Sequence, residues 1–271
     1  MPDFGNTYYS FENLVIRDKM VEICALASGS NGNCYYVGNE SDAVLIDAGI
    51  YYNRLIERAE AAGVDIDKVR AVFISHEHTD HVSGAYGIAK RLCLPFYFTR
   101  KTFNNTRGQF RPADVRYFEP GDVCDVFGIK VYTFSKRHDA SDPCSFVVET
   151  SGRKVGVMTD IGIVTEAVTD HFSHCDAVFL ESNYDEDMLW HGSYPYYLKQ
   201  RVASEVGHLS NNQSVELASN FASSNLSHIF LSHISAENNT IEKALSAFSK
   251  IAQNVTVLPT SRHAASGVVR L

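Results

Sequence analysis

The stretch AVFISHEHTDHVSG, residues 71–84, constrains the fold of this chain more than any other. An apolar run, VRAVFIS (69–75), reads as a buried strand that delivers His76, His78, Asp80 and His81 into one short loop. His76 and His78, two apart on a segment leaving a strand, can point the same way. The spacing is not HExxH, because the fourth residue after His76 is Asp80, so a helical zinc-protease arrangement is excluded. Four such ligands crowd a single tetrahedral ion, and the natural division gives His76 and His78 to one metal and Asp80 and His81 to a second. Each set then needs completing from elsewhere, which demands a fold that brings several strand ends together.

Later strand ends supply the candidates: His138 in SKRHDASDP, Asp160 in MTDIG and His233 in FLSHIS. His76, His78 and His138 are expected to hold one ion and Asp80, His81 and His233 the other, with Asp160 bridging. Two divalent ions are therefore expected, and imidazole with carboxylate accepts zinc, manganese or iron alike. Further strands are predicted at 22–28, 34–38, 42–49, 129–135, 143–150, 154–160, 175–182 and 228–233, with another at VTVLP near the C-terminal end. Helices are predicted at 53–64, stopped by Gly63, and at 82–92, 212–224 and around 240–252. No repeat and no Pro- or Gly-rich linker divides the chain, which reads as one α/β domain with mixed sheets over residues 1–271.

Composition sets the outer limits. The apolar runs fall far short of the roughly 20 residues of a membrane helix, and the first residues hold no apolar segment of signal-peptide length. A cytoplasmic protein with no membrane partner is expected. The six cysteines include no CxxC pair, which argues against a disulfide framework or a zinc ribbon. A net charge of −8 disfavours coating nucleic acid by bulk electrostatics but leaves room for a local basic groove.

HEHTDH, preceded by Asp47 in LIDAG and followed in order by His138, Asp160 and His233, resembles the motif set of the metallo-β-lactamase superfamily over nearly the whole chain. The resemblance implies an αββα sandwich, two mixed β-sheets flanked by helices, with a dinuclear site at the strand ends. It also implies that Asp47 orients the histidine loop rather than binding metal. LASGSNGNC, ESNYDEDML, YPYYLKQR and GHLSN resemble the YycJ/WalJ-like subfamily of bacterial metallo-hydrolases. That resemblance implies exonuclease activity on DNA ends, from the 5′ side. In such a phosphodiesterase a hydroxide between the two ions attacks phosphorus, so Asp80 is counted as catalytic. Only 73 positions separate Asp160 from His233, too few for the large inserted domain of ribonuclease-J-like relatives.

Substrate contacts are expected at four places. GHLS resembles the HxT or HxS element of transfer-RNA-processing relatives, which makes His208 the candidate proton donor to the leaving oxygen. Ser210 and Asn211, at the start of the next helix, are expected to hold phosphate oxygens. The SGSNGN turn, with Ser30 and Asn31, is either an anion cradle or a plain hairpin turn. Arg100, Lys101 and Arg107, interleaved with Phe98, Phe103 and Phe110, have the charges and rings a polynucleotide track needs. Tyr196 and Tyr197 are equally consistent with such a track and with packing, and His263 holds a late position where some relatives contact substrate. Two other functions stay open: hydrolysis of a small or cyclic-nucleotide phosphodiester, and a metal-stabilised signalling scaffold. Oligomeric state is not legible.

Overall fold

The computed structural model of the protein describes residues 20–106 and 114–271. The first sheet takes β1 (Glu22–Ala27), β2 (Cys34–Gly38), β3 (Ala43–Ile46), β4 (Val69–Phe73), β5 (Phe96–Phe98) and β6 (Val115–Tyr117) in sequence order. The second takes β7 (Val123–Val126), β8 (Ile129–Ser135), β9 (Cys144–Thr150), β10 (Arg153–Met158), β11 (Ala177–Glu181), β12 (His228–Ser232) and β13 (Thr256–Pro259), also in order. A final short strand, β14 (Val269–Arg270), pairs with β1 at the edge of the first sheet. Both sheets are mixed. β1, β2 and β3 are antiparallel and β3 to β6 parallel. In the second sheet β7 to β10 are antiparallel and β10 to β13 parallel.

Most strands bury both faces, which is why they read as continuous apolar runs rather than as alternation. Along β1, Ile23 and Ala25 face the other sheet while Cys24 and Leu26 face outward into a helical layer. Along β11, Ala177 and Phe179 turn inward and Val178 and Leu180 turn to helices. Between the sheets Tyr35 meets Phe179 at 5.0 Å and Phe73 meets Phe146 at 5.9 Å, ring centre to ring centre. Each such buried ring contributes on the order of 2 kcal/mol through area removed from water.

Helices complete the outer layers: α1 (Tyr52–Ala62), α2 (Thr79–Val82), α3 (Ala85–Leu92), α4 (Arg100–Asn105), α5 (Glu166–Phe172), α6 (Glu186–His191), α7 (Tyr196–Val202), α8 (Asn211–Phe221) and α9 (Ile241–Ala247). Leu55 and Ala59 of α1, with Ile88 of α3, pack on the first sheet. Val168 of α5, Leu217 of α8 and Ala244 of α9 pack on the second. The layers are thus helix, sheet, sheet, helix, as expected. Gly63 ends α1 with φ +73°, its N–H capping carbonyls of the last turn. Among the described residues no helix is long and apolar enough to cross a membrane.

The segment read as a polynucleotide track folds differently. Phe96–Phe98 is the buried strand β5 of the first sheet, and Phe103 packs on Phe98 at 5.4 Å and Tyr117 at 5.8 Å. The Phe96 and Phe98 rings are core and cannot stack bases, and Phe103 is half-buried against Phe98. Arg100 lies over the Tyr117 ring at 4.4 Å, and Lys101 is exposed, 3.8 Å from Asp142. Arg107 and Phe110 lie outside the described residues.

Candidate metal centre

The strand order converges the chemistry. Asp47 directly follows β3, His76 follows β4, His138 follows β8, Asp160 follows β10, Glu181 is the last residue of β11, and His233 directly follows β12. Asp47, Asp160 and His233 take left-handed backbone angles, φ +63°, +56° and +54°. Asp and His tolerate this region better than most residues, and such conformations persist where the surroundings fix them. The approach of the histidine loop is equally constrained. A Cβ on Gly49 would stand 1.7 Å from the Asp80 carbonyl oxygen, so only glycine lets the 47–50 loop meet α2.

Ligand atoms of His76, His78 and His138 lie within 4.8 Å of one another, and so do those of Asp80, His81 and His233. Two further groups meet the same distance, His76 with His81 and Asp160, and Asp160 with Glu181, His208 and His233, so the fold brings the expected ligands into one cluster. Asp160 touches both expected sets: its carboxylate is 3.9 Å from His138 Nε2, 3.3 Å from His81 Nε2 and 3.5 Å from His233 Nδ1. Hydrogen bonds turn the Nε2 atoms inward. His138 Nδ1 donates to the Gly207 carbonyl at 3.0 Å, His81 Nδ1 to Asp47 at 2.7 Å, and His233 Nδ1 to Glu181 at 3.0 Å. Asp47 also accepts from the Ser75 amide and hydroxyl at 2.8 and 2.9 Å, tying the loop down. A histidine that donates one ring N–H to a carboxylate or carbonyl presents the other nitrogen to a metal. The orphaned atoms agree: among the described residues His76 Nε2, His138 Nε2 and Asp160 Oδ2 are buried with no hydrogen-bond partner. Buried polar atoms rarely go unpaired, so these residues fit divalent metal ions.

Charge is arranged unevenly. Burial holds His76 well below its usual range and brings His138 down to about 4. Burial would lower His81 too, but Asp47, Asp160 and Asp80 outweigh it and hold the ring well above its usual range. Against burial, Asp160, Asp80 and Glu181 raise His233 to about 10. Burial alone would raise the carboxylates. His81 and His233 instead keep Asp80 and Asp160 well below the carboxylate range, and His208 and His233 bring Glu181 to about 2.

His208 is part of this cluster, its Nδ1 donating to Glu181 at 2.9 Å and standing 3.8 Å from Asp160. Ser210 is not available to phosphate. It is fully buried, caps α8 by accepting from the Gln213 amide, and donates to Glu186. Asn211 is likewise buried, bonded to Ser182 and Asn239. Both expectations are corrected because the helix cap and core consume these groups. The SGSNGN turn is no open cradle either. Its Gly29, Gly32 and Asn33 amides donate to Asn33 Oδ1, the Gly29 carbonyl and the Asp80 carbonyl. Ser30 and Asn31 are exposed, and Asn31 donates to the Arg262 carbonyl at 3.5 Å.

Three residues at the site were not singled out from the sequence. Glu181 is fully buried, and its signal was an acid ending an apolar run, as at Asp160. Asn33 is also fully buried and donates to Asp80 Oδ2 at 3.2 Å. Asp139 follows His138, sits 3.4 Å from its Nε2, and anchors Arg201 at 2.5 and 2.7 Å. A cleft of about 590 Å³ opens over the cluster, lined by Glu77, His78, Asp80, Asn105, Thr106 and Arg201 among others. Beside it α7 exposes Tyr196 and Tyr197, 68% and 73% accessible, so these tyrosines are not core.

An αββα sandwich with this cluster at its strand ends defines a metal-dependent hydrolase of the metallo-β-lactamase fold. The chain belongs to the beta-lactamase superfamily domain family, which matches residues 42–234. It is 33% identical over 229 residues, 83% of this chain and 87% of the relative, to the exodeoxyribonuclease YycJ of Bacillus anthracis. It is 30% identical over 224 residues, 81% of this chain and 83% of the relative, to the exodeoxyribonuclease WalJ of Streptococcus pneumoniae. Among solved structures it is similar to the metallo-beta-lactamase fold protein YhfI from Bacillus subtilis, with a TM-score of 0.68 and 12% identity, covering 93% of this chain and 100% of that one.

Proposed function

We propose that the protein is a dinuclear metal phosphodiesterase that acts as a 5′ to 3′ exonuclease on DNA ends. The observation that carries this reading is the meeting of two ligand sets at Asp160, in a chain 33% identical over most of its length to a relative named an exodeoxyribonuclease. His76, His78 and His138 would hold one ion and Asp80, His81 and His233 the other, with Asp160 shared. Bound divalent ions supply a Lewis acid for the phosphoryl oxygens and lower the pKa of water.

The remaining work falls to the chain. Asp47 fixes His81 and Glu181 fixes His233 from behind, so these rings need no reorganisation during turnover. Glu181 also fixes His208 through Nδ1, leaving Nε2 as the nitrogen that passes a proton to the departing oxygen while the P–O bond breaks. Arg201, held by Asp139 on the cleft wall, is placed to meet a phosphate charge. Arg100 and Lys101 are exposed near the end of the cleft that Asn105 and Thr106 line, where they serve the strand as charges alone. A cytoplasmic setting is consistent with such a substrate.

Digestion of linear duplex DNA labelled at the 5′ or the 3′ end, with manganese present and Asp80→Ala as control, tests the proposal. Early release of the 5′ label as a mononucleotide, absent in the control, is expected. Intact DNA from a metal-loaded protein that still splits an aryl phosphodiester would overturn it in favour of a small-substrate enzyme.

A further inference from the structure

The turn that carries Asn33 to Asp80 carries Asn31 into a second cavity, of about 300 Å³. Its charged lining is Arg54, Arg58 and Arg262, joined by the exposed His263, and among the described residues no carboxylate lines it. Arg58 is 8% exposed, and among the described residues its guanidinium donates to the Leu26 and Arg262 carbonyls alone, at 2.9 and 2.8 Å. Its Nε is buried with no hydrogen-bond partner among the described residues. Arg262 donates to the Ile234 carbonyl at 3.0 Å. Among the described residues, Arg54 alone of the three has an ion-pair partner, the exposed Glu57. Burial and the like charge of Arg54 press the Arg58 pKa down, against a smaller upward pull from Cys34 and Glu57. A buried cation without an anion is costly. The cavity also receives the N-terminal end of α1, whose Tyr51 cap makes no side-chain hydrogen bond and whose first turn holds no acid. Three guanidinium groups, an uncapped helix end and no acid describe a receptor for a phosphate oxyanion.

Position narrows the ligand. Asn31 and Asn33 are two residues apart, at most about 7 Å of chain, and Asn33 touches Asp80 directly. Nucleotides follow one another along a duplex strand about every 3.4 Å of axis, and neighbouring phosphates, which wind around that axis, lie farther apart in space, so this reach spans one to two nucleotides. We propose that the arginine pocket is a second phosphate site, holding a phosphate of the bound strand one or two nucleotides from the bond being cut. This rests on the phosphodiesterase reading above and adds the pocket that sets where the strand is gripped.

The test uses the metal-loaded full chain and a set of oligonucleotides in which one phosphate at a time, the terminal one included, is replaced by neutral methylphosphonate or omitted. With the wild type, neutralising one position near the cleaved bond should lower kcat/KM about tenfold. Arg262→Gln should lose about as much on the fully charged strand and nothing further when that position is neutral. Arg54→Gln, at the exposed rim, should show the same non-additivity more weakly, and it keeps the test open if Arg262→Gln folds poorly. The position that couples tells a terminal phosphate from an internal one. Losses that multiply at every position, for both variants, would overturn the pocket while leaving the nuclease reading intact. A wild type that cuts none of the strands would sink the nuclease reading itself, and the pocket with it.

Discussion

In the set of His76, His78 and His138 the rings of His76 and His138 are oriented from behind by neutral groups, whereas in that of Asp80, His81 and His233 the rings are backed by carboxylates. Ser75 Oγ and the Gly207 carbonyl orient the first set, and burial keeps His76 and His138 uncharged. Asp47, Asp160 and Glu181 surround the second and keep His81 and His233 protonated when no metal is bound. On the dinuclear reading proposed above, one cluster would combine a site already in its metal-binding form with a site where metal must displace protons.

The strongest way to break the comparison is to remove what both sets share. Asp160→Ala should lower DNA cleavage by on the order of a thousandfold or more, with metal content falling at both sites. Quantitative metal analysis beside the end-label assay checks it, and loss of only one ion would assign Asp160 to a single set. Asp47→Ala attacks the second set alone. Metal affinity or activity should fall about 10- to 100-fold, with one ion retained, as equilibrium dialysis would show. Retention of both ions at wild-type affinity would remove Asp47 from the orienting role.

Proton linkage sharpens the contrast. Metal binding near neutral pH should release about two protons, from His81 and His233, seen by calorimetry in buffers of different ionisation heat. In the metal-free chain the raised His233 stabilises the fold fully below its ordinary 6.5, a contribution lost as pH rises through about 10. Glu181 runs the other way, its contribution complete above 4.5 and lost as pH falls through about 2. Denaturant unfolding across that range should show both limbs, and a flat alkaline limb would deny His233 its proton. Smallest of all, Ser210→Ala should cost about 1 kcal/mol of stability through the lost helix cap, with KM for DNA unmoved. A raised KM would restore Ser210 to the substrate.

Much of the site was legible because its signals are local. HEHTDH needs no fold to be noticed, and His138, Asp160 and His233 stand out where apolar runs stop. Glu181 ends such a run too, in VFLES, but an acid there has the same signature as a cap, and only the neighbours His208 and His233 reveal its place. Ser210 misled in the other direction. Ser210 and Gln213 have capping-box spacing, and that local signal outranked the resemblance of HLS to a substrate-binding element. FYFTRK looked like a surface track because aromatic and basic residues alternate there, whereas sheet pairing with β4 and β6 buries the rings.

By itself, then, the sequence determined the ligand types, their order along the chain and the run of strands that carries them, since these depend on residue chemistry and periodicity alone. Tertiary structure decided which nitrogen each histidine offers, which carboxylates stand behind them, and that Arg54, Arg58 and Arg262 share one cavity. Those are matters of distance across strands and helices far apart in the chain, and no local spacing encodes them.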